Sequence, residues 1–403
     1  MNTCAVAYSY YESDNRIRRY AETLVKRGDN VDFFAIGYKG QKAFEVINGV
    51  NVYRIQSRVV NEKHKLDYFF RIVLFLFRSF YHITIKHLKR PYKLVHVHSV
   101  PDFEVFAALV PRLTGAKVIL DIHDLVPEFY CGKFKSGKNN LICRLLLRIE
   151  RVCCSFANHV IISNDLWRDK LISRSVRRDK CTTILNYPDP AIFTYTDKNC
   201  TKATNAPFIA VYPGSLNYHQ GVDIAVKAMK IVNKTTKNIQ FHIYGSGPLV
   251  PELKKLISND NLADSVFLFE DRSLEAIAEV LLNADLGIVP KRADGFGNEA
   301  FSTKIFEFML MGVPVIAAET KIDRYYFNDS VIEFFHAGDE NSLAEKVLHI
   351  YSDSKRREEI VQNALTYAES NSWSKKKSVY LKIVDQLCGI PPVRELQLEE
   401  SRY

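Results

Sequence analysis

Short apolar runs ending in polar residues alternate with stretches of helical period along most of the chain. "CAVAY" (4–8), "NVDFFAI" (30–36), "VNVYRI" (50–55), "KLVHVHS" (93–99), "AKVILDIHD" (116–124), "ANHVIISN" (157–164) and "CTTILN" (181–186) read as strands. "RIRRYAETLVKRGD" (16–29) reads as an amphipathic helix that stops at Gly28, and helical patterns occupy residues 65–89, 103–114 and 139–155. Residues 187–206, "YPDPAIFTYTDKNCTKATNA", break the rhythm with prolines and polar residues and read as a linker. The alternation then restarts with "FIAVYPG", "GVDIAVKAMKIV", "IQFHIYGSGP", "SVFLFE", "SLEAIAEVLLNA" and "DLGIVP". Such alternation predicts mostly parallel sheets covered by helices. The expected fold class is therefore α/β, two doubly wound domains over 1–186 and 207–372. In open α/β sheets ligands bind at the carboxyl ends of the strands, so two facing sets of loops predict an interdomain cleft.

One stretch of the second half carries chemistry. In "GFGNEAFSTKIFEFMLMGVPVIA" (295–317) Glu299 and Glu307 lie eight positions apart. A continuous helix would separate them by about 12 Å. Ser302 or Thr303 suits an N-cap, Gly312 suits the residue after the helix, and Pro314 cannot continue it. Glu299 then sits in the loop and Glu307 in the helix, with the free amides of Phe301, Ser302 and Thr303 between them. A helix N-terminus favours anions. The spacing suits a long ligand with hydroxyls at both ends and phosphates between, a nucleotide-sugar. Two solvated acids and an ordinary cap fit the same letters.

Composition narrows the classes. The 403 residues are 47% hydrophobic and 25% charged, ordinary globular values. The eight cysteines show no C-x-x-C and no zinc spacing, so free thiols in a reducing cytoplasm are expected. The start, "MNTCAVAYSYYESD", has no basic and apolar leader pattern. No G-x-G-x-x-G follows the first strand and no Walker motif occurs, which argues against a dinucleotide-dependent dehydrogenase and an NTPase. The net charge of +9 is uneven, +13 over residues 1–200 and −4 over the rest. The first half is thus expected to face something anionic.

Taken together these stretches resemble the retaining glycosyltransferases of family 4, which have the GT-B fold of two facing Rossmann-like domains. The resemblance rests on Glu299 and Glu307 as an E-x7-E element, Phe301 at an aromatic position, "MGVPVIA", "GSGP" (245–248), "ADLGIVP" (284–290), "LDIHD" (120–124) and "NSWSKKKSVYLKIV" (371–384). It covers nearly the whole chain. It implies retaining transfer of a sugar from a nucleotide diphosphate, a hexosyltransferase-type activity, with a C-terminal helix (373–390) returning to the first domain and a tail over 391–403. On this resemblance Glu299 meets donor-sugar hydroxyls, Glu307 ribose hydroxyls, and Lys304 the leaving diphosphate. Phe301, Ser302, Thr303, Arg292, Gly214 and Gly245 border the donor. His123 contacts the donor sugar from the acceptor side, and Asp124 binds the acceptor hydroxyl or caps the next segment.

Two stretches depart from the family pattern. The loop "SYYESDNR" (9–16) lacks the usual glycines, and Asn15 and Arg16 are the expected contacts to acceptor or phosphate there. In "YPGSLNYHQG" (212–221) Ser215 and Gln220 stand where an Arg and a Lys are usual. The diphosphate charge is then expected to fall to Lys291, Arg292, Lys304 and the helix start at Ser302. No cofactor and no obligatory metal are expected, since no Asp-x-Asp stands at a strand end in the donor half.

Residues 61–93 hold eight basic and two acidic residues among many aromatics. The longest apolar run, "IVLFLF" (72–77), is too short to span a bilayer, whereas a basic, aromatic amphipathic segment suits an interface. The expected partners are a nucleotide-sugar, a glycan acceptor linked to a polyprenyl diphosphate, and an anionic membrane, with the enzyme peripheral on its inner, cytoplasmic face. Capsule, exopolysaccharide or O-antigen assembly would be the setting. A nucleotide-sugar epimerase or hydrolase on this fold is the rival within enzymes, and a basic nucleic-acid-binding protein the rival outside them.

Overall fold

The computed structural model describes residues 1–57, 65–133, 141–188, 192–195 and 206–391, the side chains of 65, 66 and 131–133 apart. The chain divides into two compact units, Met1–Leu185 with Lys376–Tyr403, and Asn186–Lys375. Most of the stretch read as a linker, and nearly all of the tail, lie outside the described residues.

The first unit is built on an eight-stranded sheet of order β3-β4-β2-β1-β5-β6-β7-β8. Its strands are β1 Asn2–Tyr10, β2 Asn30–Gly37, β3 Phe44–Ile47, β4 Val50–Ser57, β5 Leu94–His98, β6 Lys117–Ile122, β7 His159–Ile162 and β8 Cys181–Thr183. Its helices are α1 Asn15–Lys26, α2 Lys65–Lys89, α3 Leu109–Leu113, α4 Val126–Lys133, α5 Leu141–Phe156 and α6 Asp165–Arg174. All pairings are parallel except β3 with β4. That hairpin turns on Asn48 and Gly49, both at positive φ, as a tight two-residue turn requires. The expected helix over 103–114 is instead a 3₁₀ stretch, Asp102–Ala108, followed by α3. Pro111 removes a backbone donor within that run.

The second unit holds a six-stranded parallel sheet of order β11-β10-β9-β12-β13-β14. The strands are β9 Phe208–Pro213, β10 Ile239–Tyr244, β11 Val266–Phe269, β12 Leu286–Val289, β13 Val315–Ala318 and β14 Glu333–Phe335. The helices are α7 Val222–Thr235, α8 Val250–Asn259, α9 Leu274–Leu282, α10 Thr303–Leu310, α11 Lys321–Tyr326, α12 Glu340–Ser352 and α13 Ser354–Ser370. A core of β-strand aliphatics such as Ala210, Ile243 and Ile288 packs on α7 and α12 through Val226, Met229, Leu343 and Val347. The chain order reverses between β9 and β12, the switch point beyond whose carboxyl ends open α/β sheets bind their ligands.

The last helix, α14 Trp373–Cys388, belongs to the first unit from Lys376 onward. Tyr380 is buried with its hydroxyl 3.0 Å from His96 Nδ1, and Asp385 pairs with Arg27 at 2.6 Å. Cys4, Cys153, Cys154, Cys181 and Cys388 are free thiols, but Cys143 is disulfide-bonded, against the all-thiol expectation.

Helix α2 has two apolar faces. Ile72, Phe75 and Ile83, with Ser79 among them, are buried against the unit, spaced three and four residues apart. Phe70, Leu74, Phe77, Tyr81, Ile85 and Leu88 repeat the same spacing on the opposite side and are exposed, Phe70 and Phe77 by about two thirds (66% and 65%). By length and composition Asp67–Lys89 is long and apolar enough to cross a membrane, so interrupted runs reach further than "IVLFLF" suggested. The buried stripe commits one side of the helix to protein.

Candidate active site

The second unit gathers its candidate residues at the carboxyl ends of β9, β10 and β12. Ser302 occupies the N-cap of α10 as expected, but its hydroxyl makes no cap hydrogen bond and is buried without a partner among the described residues. The helix ends at Met311 and Gly312, whose φ of 63° glycine tolerates. Lys304, in the first turn, lies half-buried along Gly214, the residue that follows β9, with Nζ 5.4 Å from the Tyr212 ring centroid. It makes no hydrogen bond or ion pair among the described residues. Burial pushes its ammonium below the usual lysine range, while Glu307 one turn on favours the charge. The Glu307 carboxyl is pushed up by burial and held back by Lys304 and Thr303. Gly245 follows β10, and a Cβ there would overlap the Gly214 carbonyl, so the two loops touch through backbone alone. Gly214, Gly245, Ser302, Thr303, Lys304 and Glu307 thus form one cradle.

The other expected donor ligands are committed elsewhere. Lys291 is buried, its ammonium 2.9 Å from Asp323 and 2.8 Å from the Ala300 carbonyl, where it clamps the loop before α10. Arg292 forms a two-pronged pair with Asp223 at 2.8 and 3.1 Å and stacks over Tyr218. The Phe301 ring packs on Phe306, Tyr326 and Phe327. Of the three expected cations, Lys304 alone has an uncommitted head group among the described residues. Glu299 is half-buried in the preceding turn, its amide donating to the Phe296 carbonyl.

The first unit has a pocket of about 230 Å³ at the carboxyl ends of β1, β5 and β6. His123 and Asp124 line it, as do Asp14, Tyr68 and His98. The Asp124 carboxyl has no hydrogen bond among the described residues, and burial raises its pKa against the pull of His123 and Arg16. It does not cap a helix through its side chain. Asn15 and Arg16 do not line this pocket. Arg16 is buried, with Nε and Nη2 on Asp121 at 2.8 and 2.6 Å and Nη1 on the Ile184 carbonyl at 2.8 Å. Asn15 Oδ1 is buried without a partner among the described residues, and the pocket side of this turn belongs to Asp14, which also caps α1.

Sequence reasoning missed Asp14, Tyr68, His98 and Asp121. A signal was present: "LVHVHS" and "VILDIHD" put His96, His98 and Asp121 inside fully buried parallel strands, where a polar side chain needs a partner.

Comparison with known proteins agrees with this fold. Residues 13–186 match the family model "Glycosyl transferase 4-like domain" and residues 196–366 match "Glycosyl transferases group 1". An uncharacterized glycosyltransferase of Methanocaldococcus jannaschii is 24% identical over 90% of this chain and 88% of its own. The phosphatidylinositol N-acetylglucosaminyltransferase GPI3 subunit of Saccharomyces cerevisiae is 22% identical over 93% and 86%. The amylovoran biosynthesis glycosyltransferase AmsK of Erwinia amylovora is 26% identical, but the match spans only 38% of this chain and 37% of that relative. Among solved structures, sucrose-phosphate synthase of Thermosynechococcus elongatus superposes with a TM-score of 0.78 at 17% identity, over 97% of this chain and 100% of that one. Anabaena HepE with UDP-glucose gives 0.68 at 15%, over 96% and 100%. WaaG, a glycosyltransferase involved in lipopolysaccharide biosynthesis, gives 0.69 at 14%, over 94% and 99%.

Proposed function

We propose that this chain, which is a glycosyltransferase of the GT-B fold, transfers a sugar from a nucleotide diphosphate to a lipid-linked glycan acceptor with retention at the anomeric carbon. The observation that carries the donor half is Lys304: a cation with no hydrogen bond or ion pair among the described residues, beside glycine backbone and a helix N-terminus without a side-chain cap. The anomeric C–O bond to the diphosphate breaks, and negative charge grows on the leaving oxygens. Preorganised amides and a desolvated cation stabilise such charge without reorganising. The acceptor oxygen bonds to the same face of the anomeric carbon, and its proton passes to the departing diphosphate. Glu307 accepts from ribose hydroxyls and Glu299 from donor-sugar hydroxyls. His123 and Asp124 serve the sugar and acceptor hydroxyls in the first unit. No resident metal is needed in this scheme, since Lys304 and the helix amides supply the positive field.

The outer face of α2 supports a membrane-bound acceptor. Its exposed aromatic stripe is bordered by Arg71, Arg78 and Lys89 on one flank; Lys63 and the Lys65 side chain lie outside the described residues. The 3₁₀ stretch and α3 pack beside α2, and α5 packs on the 3₁₀ stretch. They carry further exposed apolar side chains outside residues 61–93, Leu109, Leu113, Leu141, Leu145 and Val152. Tyr68 of α2 also lines the pocket that holds His123. A lipid bearing the acceptor would reach that pocket past the start of this helix. The enzyme on this reading works at the inner membrane face, in cell-surface polysaccharide assembly. The test is transfer from a panel of nucleotide-sugars to polyprenyl-diphosphate-linked saccharides, with the product anomer read by NMR. An axial donor giving an axial product supports the reading; inversion, or turnover without any acceptor, removes it.

A further inference from the structure

Beneath the first-unit pocket lies a buried group of charges that the proposed chemistry does not use. Asp121, at the end of β6, has no exposed surface. Its two oxygens accept from the Arg16 guanidinium, and Oδ2 also lies 3.1 Å from His98 Nδ1 and 3.1 Å from His123 Nε2. Burial opposes its ionisation, but Arg16, then His123 and His98, hold the carboxyl well below the usual range. Asp121 is therefore a carboxylate and only accepts.

That fixes the protons around it. Burial keeps His98 neutral, against the pull of Asp121, so its one N–H is the Nδ1–H that points at Asp121. His96 is neutral for the same reason and stacks on His98 with ring centroids 4.1 Å apart, its Nδ1 on the Tyr380 hydroxyl of α14. His98 Nδ1 is also 3.4 Å from His123 Nε2, and being protonated it cannot accept from it. The His123 Nε2–H then has one acceptor, Asp121. The His123 carbonyl is held by Ser163 Oγ at 2.7 Å, which fixes the ring's root as well. His96, His98 and Asp121 have ligand atoms within 4.8 Å of one another. A cation there would face Arg16 at the same carboxylate, and the imidazoles stack rather than converge.

We infer that Asp121 is the positioning residue of His123: it holds the ring as the Nε2–H tautomer and leaves Nδ1 as the lone pair offered to a sugar hydroxyl in the pocket. Arg16 keeps Asp121 ionised whatever the occupant. Among the described residues no other carboxylate hydrogen-bonds the His123 Nε2. Asp14 is spent on the α1 cap and Ser9, Asp102 accepts from Ser99, and the Tyr20 ring packs on His96 and His98. Asp124 lines the pocket beside His123. The inference rests on the glycosyl-transfer reading only for the identity of the hydroxyl.

The test is long-range ¹H–¹⁵N correlation NMR of histidine-labelled protein, without ligand. In the unsubstituted chain His123 is expected as Nε2–H, and an Nδ1–H ring would overturn the inference whatever the enzyme turns over. Asp121→Asn, whose amide can donate to His123, is expected to shift His123 toward Nδ1–H. It should lower kcat at least tenfold while the KM for nucleotide-sugar moves less than threefold. A variant that keeps both the tautomer and kcat would also overturn it. If the variant fails to fold because Arg16 is left unpaired, the measurement on the unsubstituted chain decides alone. Failure of the transfer reading shows separately, as no turnover by the unsubstituted enzyme with any donor.

Discussion

Lys304 lies where the side chain of any other residue at position 214 would go: a Cβ on Gly214 would overlap Lys304 Cε and stand 3.0 Å from Nζ. Gly214 also has a φ of 132°, which side chains disfavour. Gly214→Ala is therefore expected to push the ammonium out of the cradle and strain the loop by about 1–3 kcal/mol. Calorimetry with the nucleoside diphosphate should show at least tenfold weaker binding. Binding as tight as in the unsubstituted chain would separate Gly214 from the donor site.

Lys304→Met tests the cation itself. Burial lowers the lysine pKa, so its charged form is disfavoured in the folded state and the fold does not depend on it. The melting temperature should stay level or rise. Turnover should fall by roughly 10²–10³, the usual loss when one group stabilising transition-state charge is removed. Equal losses in stability and turnover would point to a packing role.

The membrane reading is tested on the outer stripe of α2. Phe70→Asp with Phe77→Asp changes two exposed residues, so the melting temperature should hold. Co-sedimentation with anionic vesicles should fall at least tenfold. Binding of the unsubstituted protein should weaken with salt, because Arg78, Lys89 and their neighbours add about 1 kcal/mol each near an anionic surface. Vesicle binding that survives the double substitution would place the contact elsewhere.

Much of this architecture was legible in the letters, because buried parallel strands and amphipathic helices write periodic signals. Helix α2 was expected over 65–89, where it stands, and α10 one residue from its C-terminal limit. The hairpin of β3 was passed over although "VINGVNV" carries the Asn-Gly turn between apolar residues, the strongest local hairpin signal. The cradle of Lys304, Glu307 and Ser302 came from local helix geometry, which sequence spacing encodes. Partner choice is not encoded that way. Lys291 and Arg292 adjoin the cradle in sequence, yet Asp323 and Asp223, 32 and 69 positions away, hold them. Arg16 was placed at the ligand because its loop is; Asp121, 105 residues on, draws it beneath the pocket.

The last prediction concerns Glu104, in the 3₁₀ stretch that packs under α2. It has no exposed surface, and burial pushes its carboxyl up to about 8. The folded chain thus keeps a proton on Glu104 that the unfolded chain gives up near pH 4.5. Between those values the folded state binds one proton more, so stability falls as pH rises, by up to about 1.4 kcal/mol per pH unit. The contribution is whole below about pH 4.5 and gone above about 8. Glu104→Gln keeps the shape without the titration. Between pH 6 and 8 its melting temperature should depend less on pH than that of the unsubstituted chain, and at pH 8 the variant should be the more stable of the two. Below about pH 6 a slope should persist in both, since burial also pushes the Asp102 carboxyl up, to about 6. Parallel melting curves for the two proteins from pH 6 to 8 would mean that Glu104 is ionised in the fold.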